Sequence, residues 1–137
     1  MNIASTGTHQ TINGSKSAIA LKVANTILSK WKCSKEQKVL LLGMKKSALY
    51  QKLREAENKN PINLDRDQLD RVSYILNIHQ ALKMTFSNNE NIYGFVNMPN
   101  KNPYFNGKTP LEIMSAGSLP SLYEVYNRID ALRNGGW

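Results

Sequence analysis

The sequence predicts an all-α protein of 137 residues. Apolar residues recur at intervals of three and four over residues 15–31, 65–86 and 119–133, which is the period of a helix that buries one face. Thr109 and Glu112 have the spacing of a capping box, with proline at the first helical position between them. The chain shows no convincing strand alternation and no internal repeat. We therefore expect helices joined by short loops, and no sheet.

The N-terminal part is expected to hold a flexible tail and a first helix. Residues 1–14 contain no Lys, Arg, Asp or Glu and show no apolar period, which is typical of a mobile terminus. The first helix then runs from Ser15 to Trp31. Its inward side is expected to comprise Ile19, Val23, Ala24, Ile27, Leu28 and Trp31.

Two shorter helices follow, separated by a tight turn. Ser34 and Gln37 fit a capping box, and the helix that they begin runs through Leu42. Gly43 ends it, because glycine accepts the left-handed backbone of a C-terminal cap. Ser47 is expected to cap a third helix that runs to about residue 58.

The third helix has a polar outer face that suits DNA. At 100° per residue Leu49, Leu53 and Ala56 share an inward stripe, which leaves the polar residues on the opposite side. Two helices joined by a short glycine-containing turn, with two lysines before the second helix, form the pattern of a helix-turn-helix. Lysines neutralise phosphates, while Gln and Arg make paired hydrogen bonds to adenine and guanine edges. The candidate DNA-binding residues are Lys45, Lys46, Ser47, Tyr50, Gln51 and Arg54. The alternative is a solvated helix face that happens to be basic.

The charge distribution favours the DNA-binding interpretation. Residues 16–59 contain eleven Lys and Arg against three Glu, whereas residues 60–137 contain seven basic and seven acidic residues. The whole formal net charge of +8 therefore lies in one block. A segregated positive charge indicates a polyanionic partner, most commonly nucleic acid, with an anionic membrane surface as the lesser alternative.

The C-terminal part is predicted to hold one long helix and three shorter ones. The long helix covers 65–86, begins with acidic residues and is a candidate domain junction or dimer seam. A shorter helix is expected near 89–97, followed by a loop, the capped helix that stops at Gly117, and a last helix over 119–133. We divide the chain into a tail (1–14), a helix-turn-helix domain (15–60), a connector with a possible dimerisation role (61–98) and a C-terminal domain (99–137).

The sequence gives little support to an enzyme, a metal site or a membrane span. His79 lies on the apolar side of a helix, where a core role is the commoner one, and Cys33 has no identifiable base. No phosphate loop or metal-spaced cluster is present, so no cofactor is expected. A single cysteine forms no internal disulfide, and the first fifteen residues lack the parts of a secretory signal. We expect a cytoplasmic, non-enzymatic protein.

The chain ends in Gly135-Gly136-Trp137, and two interpretations of this ending stay open. Trp137 either folds back on the last helix or enters a pocket of a partner, with the glycines giving it reach. Tryptophan is a favoured interface anchor. Tyr93, Tyr104, Tyr123 and Tyr126 lie outside the basic block and suit a core or a protein interface.

Residues 99–133 resemble the toxin-binding domain of the Xre/MbcA/ParS antitoxin family. The resemblance rests on Pro99-Asn100, Asn106-Gly107, Thr109-Pro110-Leu111-Glu112 and Arg128-Ile129, in this order. The segment SKEQKVLLLGMKKSALYQKLRE is similar to the helix-turn-helix that precedes this domain in Xre-type antitoxins. The sequence departs from the pattern at Asn106, where the family has glycine, at Tyr104-Phe105 and in its Gly-Gly-Trp ending.

The resemblance implies an antitoxin with a protein partner and a DNA target. Such antitoxins dimerise, bind their own operator and hold a RES-domain toxin, which degrades NAD, while the C-terminal end obstructs the toxin's active site. The toxin-binding residues implied here are Tyr104, Arg128, Arg133, Asn134, Gly135, Gly136 and Trp137. The alternative is a stand-alone dimeric helix-turn-helix repressor whose residues 60–137 serve only dimerisation.

Overall fold

The computed structural model describes residues 7–135, and side chains from Gly14 onward. Within that range the regular secondary structure is helical, which confirms the predicted all-α class. The elements are α1 (Gly7–Lys30), α2 (Lys35–Leu42), α3 (Lys46–Glu57), α4 (Arg66–Thr85), α5 (Asn89–Gly94), a 3-10 turn (Phe95–Asn97), α6 (Pro110–Met114) and α7 (Leu119–Arg133). Residues 1–6 and 136–137, which include Trp137, lie outside the described range.

Helix α1 begins at Gly7, eight residues before the predicted start at Ser15. Residues 7–14, which the sequence analysis assigned to a tail, are part of this helix, while residues 1–6 lie outside the described residues. A tertiary contact lies seven residues further along α1, at Gly14. The Gly14 carbonyl accepts a hydrogen bond from the Ile62 N–H at 3.2 Å, and a Cβ on Gly14 would lie 2.9 Å from the Pro61 Cβ. Glycine thus lets the segment after α3 close on α1.

The buried face of α1 is rotated from the predicted one. Ile19 and Val23, predicted to face inward, are 64% and 44% exposed. Helix α1 packs against both α3 and α4. The side of α1 that contacts them includes small residues, which allow the helices to approach closely. Among the side chains described in α1, from Gly14 onward, the buried residues are Gly14, Ser17, Ala18, Leu21, Ala24, Ile27 and Leu28, with Trp31 just beyond the end of the helix.

The turn between α2 and α3 follows the prediction at α2 and departs from it at α3. The capping box at Ser34 and the left-handed Gly43 (φ 65°) are both present. Ser47 is not the cap of α3, however, because Lys45 holds the extended cap backbone and the helix begins at Lys46. Met44 in this turn is buried, α3 starts directly after Lys45, and Ser47 is the second residue of the helix.

Helix α4 is the central element of the fold. Asp65 caps it through a box with Gln68, at the acidic start that the sequence predicts. It packs against α1, α2, α5 and α7, so the apolar core continues from the N-terminal helices to the C-terminal ones across the predicted segment boundaries. The buried face of α4 also includes one charged residue, Arg71, which the sequence analysis did not single out.

The C-terminal elements form as predicted, with shorter bounds for α6. The Thr109–Glu112 capping box is present, and α6 ends at Met114 ahead of a turn that reaches Gly117 at φ 87°. Helix α7 spans the predicted residues 119–133 and buries Leu122, Val125 and Ile129.

Candidate functional site

The outer face of α3 is built by three inward apolar residues and the polar residues opposite them. Leu49 and Ala56 are buried and Leu53 packs partly against the core, so the predicted inward stripe is confirmed. Gln51 and Arg54 are exposed as a consequence. Both side chains are therefore available to a partner without any rearrangement of the helix.

The start of α3 adds positive charge to the same face. Lys45, Lys46 and Ser47 are exposed. Among the residues that the structure describes, Lys45, Lys46 and Arg54 form no ion pair. Their charges are left to solvent or to a polyanion, which is the arrangement that phosphate contacts require.

Tyr50 differs from its neighbours because it is half-buried and carries a lysine over its ring. The Lys35 Nζ lies 5.9 Å from the centre of the Tyr50 ring, so α2 contributes a cation beside α3. Sequence analysis missed Lys35 as a candidate. Its signal was available, since Lys35 is the first residue of the helix that Ser34 caps and lies within the basic block.

Other basic side chains of the block are engaged within the fold. Lys52 Nζ donates to the Asn63 carbonyl at 2.8 Å, Lys22 Nζ lies 3.7 Å from Glu57 Oε2, and Lys38 Nζ donates to Ser29 Oγ at 2.7 Å. The Lys52 bond holds the 61–63 segment beside α3 and leaves a shallow hollow next to Gln51. These lysines support the face rather than extend it.

A second candidate site lies where the 99–109 loop meets α7. The Asn102 Oδ1 accepts a hydrogen bond from the Tyr104 N–H at 3.0 Å, and Phe105 is fully buried, so the loop holds Tyr104 in a half-buried position. Arg128 lies over the Tyr104 ring, 4.8 Å from its centre, and 3.6 Å from Glu124. Burial and Glu124 raise the pKa of Tyr104, against the opposing effect of Arg128.

The structure thus brings two predicted partner-binding residues together and sets a third apart. Arg133 pairs with Asp130 at 2.9 Å, and five residues along a helix place it about 140° around α7 from Arg128. Asn134 and Gly135 close α7, their N–H groups bonding to carbonyls of its last turn. Gly136 and Trp137 lie outside the described residues.

A cluster of three tyrosines occupies the groove between α4 and α7. The Tyr74 ring centre lies 5.8 Å from that of Tyr123 and 6.2 Å from that of Tyr126, and Tyr123 is 47% exposed. Sequence analysis placed Tyr123 and Tyr126 in a core or protein interface but did not link them to Tyr74.

Cys33 and His79, the side chains with reactive chemistry, are both half-buried. Burial raises the pKa of the Cys33 thiol to about 11, although Lys38 opposes the shift. His79 lies 3.2 Å from the Tyr93 hydroxyl, and burial together with Lys83 and Lys30 lowers its pKa. In the described part of the chain no group of three His, Cys, Asp or Glu side chains could hold a metal. None of the helices described is both long and apolar enough to cross a bilayer.

Comparison with known proteins bears on the C-terminal site. Residues 81–135 match the family model of the antitoxin Xre/MbcA/ParS C-terminal toxin-binding domain. The chain is 29% identical over 109 residues to the uncharacterized protein y4oB of Sinorhizobium fredii, and the alignment covers 80% of each chain. No solved structure matches it. The last turn of α4 through Gly135, including Tyr104 and Arg128, is therefore similar to a toxin-binding antitoxin domain, whereas α1–α3 lie outside that match.

Proposed function

We propose that this protein is the antitoxin of a toxin–antitoxin pair. In this proposal it acts in the cytoplasm as a homodimer, binds and neutralises a RES-domain toxin that degrades NAD, and represses its own operon. The observation that carries the proposal is the match of residues 81–135 to a toxin-binding antitoxin domain. A toxin is the partner that this match implies, and the RES class follows from the resemblance of residues 99–133.

DNA binding is proposed for the α2–α3 unit, acting as a helix-turn-helix. It is supported by the exposed side chains of Gln51 and Arg54, by the unpaired charges of Lys45 and Lys46, and by the location of the entire net charge in residues 16–59. The lysines would contact phosphates, while Gln51 and Arg54 would meet base edges. Ser47, Tyr50 and the adjacent Lys35 would complete the surface.

The toxin surface is proposed to combine Tyr104 and Arg128 with the chain end. The loop and α7 hold Tyr104 and Arg128 in one cluster, in which Tyr104 is half-buried and Arg128 exposed, and Arg133 to Gly135 precede the last two residues of the chain. In this proposal residues 134–137 cover the toxin's NAD pocket, with the indole and the terminal carboxylate as the inserted groups.

Truncation of the chain end tests this part of the proposal. Removal of residues 134–137 should restore NAD degradation while the complex persists, because Tyr104 and Arg128 still bind. Since Asn134 and Gly135 also close α7, the matched variants are a deletion of 136–137 and Trp137→Ala, which keep that closure. A tail-less complex that still forms and stays inactive would refute the role of the tail.

A further inference from the structure

Arg71 is a buried charge at the junction of the N-terminal and C-terminal helices. Its side chain is about nine-tenths buried, on the core side of α4. The guanidinium Nε donates to Asp67 Oδ2 at 2.8 Å, Nη1 to the Leu40 carbonyl at 2.9 Å, and Nη2 to the Gly117 carbonyl at 2.8 Å. A buried guanidinium must be matched by acceptors, and these acceptors come from three separate elements.

At α2, Arg71 serves as a cap. The last carbonyls of a helix have no partner within the helix and carry partial negative charge. Arg71 meets the Leu40 carbonyl and, at 3.4 Å, the Leu41 carbonyl. The Gly43 backbone lies close against the same side chain and leaves no room for a Cβ, which would lie 2.7 Å from Arg71 Nε and 2.9 Å from Asp67 Oδ2. The end of α2 is therefore held by α4.

At the other end, the same guanidinium holds the turn between α6 and α7. Gly117 adopts φ 87°, and a Cβ on it would lie 3.4 Å from Leu40 Cδ2. Gln37 Nε2 and Ser115 Oγ, 3.5 Å apart, add a second approach between α2 and this turn. Helix α2 and the α6–α7 turn thus share Arg71 as their common donor.

We propose that Arg71 is a positioning residue that couples the α6–α7 turn to the pose of α3. Only Met44 and Lys45 separate Gly43 from α3, so a displacement of the end of α2 moves the start of α3. A partner that binds at the α6–α7 turn and shifts the Gly117 carbonyl would therefore also displace Lys45, Lys46 and the outer face of α3. The consequence for DNA rests on the proposed function, whereas the coupling within the protein does not.

A double-mutant cycle read by amide hydrogen exchange tests the coupling in the full chain. Gly117→Ala strains the turn, because its backbone is left-handed. Alone, it should speed exchange of the Leu42 and Leu49 amides by roughly fivefold or more. In an Arg71→Lys background, where one ammonium cannot span all the acceptors, Gly117→Ala should add far less. Equal, additive effects in both backgrounds, or effects confined to α6 and α7, would overturn the proposal.

Binding to operator DNA supplies a readout that loss of stability alone would not give. Arg71→Lys should weaken binding by roughly fivefold or more without changing its salt dependence, because Arg71 is buried and contacts no phosphate. Arg66→Lys, an exposed arginine on the same helix, is the control and should leave affinity unchanged. Unchanged affinity in Arg71→Lys would contradict the coupling. Absence of DNA binding by the unmodified chain would refute the proposed DNA-binding role instead, and the exchange cycle would still decide the coupling.

Discussion

Gln51 and Arg54 make the sharpest residue-scale test of the DNA face, because neither supports the packing of α3. Lys45 and Lys46 precede them and are equally exposed. Base-edge contacts carry sequence information, whereas phosphate contacts do not. The two pairs should therefore respond differently to mutation.

Gln51→Ala or Arg54→Ala should cost about 1–3 kcal/mol on the operator and relax sequence preference. Lys45→Ala or Lys46→Ala should weaken binding to all sequences and reduce the salt slope by about one per lost phosphate contact. Titrations on operator and unrelated duplexes at several salt concentrations measure both effects. Arg66→Ala, an exposed arginine on α4, is the charge-matched control. If all four variants behave alike, the assignment of this face is wrong.

Cys33 gives a pH prediction at the same scale. Its folded pKa of about 11 lies above the ordinary value of 9.0, so the unfolded thiol loses its proton first as pH rises. The contribution of Cys33 to stability is therefore complete below pH 9 and is lost as pH rises toward 11. The free energy of unfolding should fall in this window relative to Cys33→Ala, as measured by urea titration. A constant difference between the two proteins would contradict the assigned environment.

Helix starts and ends were predictable where the signal is local. The capping boxes at Ser34 and Thr109 satisfy free N–H groups with side chains three residues apart, so neighbouring residues suffice to specify them. The start of α1 at Gly7 was not predicted, because residues 7–14 show no apolar period that would indicate a helix. The cap of α3 is Lys45, whose side chain makes no capping hydrogen bond, so no such signal marks it.

Glycine can be required at a helix end or turn for two reasons, a left-handed backbone or a lack of room for a Cβ, and Gly43 and Gly107 allow the two to be compared. Both have left-handed backbones. A Cβ on Gly43 would overlap the Arg71 side chain, whereas a Cβ on Gly107 would meet nothing within 4 Å. Gly107→Ala should cost about 1–2 kcal/mol of stability from backbone strain. Gly43→Ala should cost roughly 1–3 kcal/mol more, since its Cβ overlaps Arg71. Chemical denaturation measures both values. Equal losses would show that the Arg71 contact at Gly43 adds nothing.

At the scale of the whole molecule, the sequence predicted the helical class and the exposure of α3 but not the way α4 joins the two ends. The period of three and four specifies an apolar face, yet it cannot tell which of two neighbours a helix will meet. For this reason the apolar period predicts Ile19 and Val23 on the inward side of α1, whereas the structure exposes both. Arg71, which the sequence analysis did not single out, falls four residues before Ile75 on the buried side of α4, and this spacing was the available signal of a charge that needs acceptors.

The candidate partner site was predictable only in part. Arg128 and Tyr104 are 24 positions apart in the sequence, and their contact depends on the loop that buries Phe105. Tyr74, Tyr123 and Tyr126 meet because α4 and α7 pack together, a relation that no local pattern contains. The family match over residues 81–135 supplies what geometry alone does not, namely the kind of partner to expect.

The central claim is that this protein neutralises a toxin, and purification from its natural host tests it most directly. The protein would be tagged at its N-terminus, so that Trp137 stays free, and co-purifying chains would be identified at low and moderate salt. We predict a stably bound second chain of the RES class that consumes NAD once separated from the antitoxin. A clean dimer without any protein partner at either salt concentration would contradict the claim and favour a stand-alone repressor.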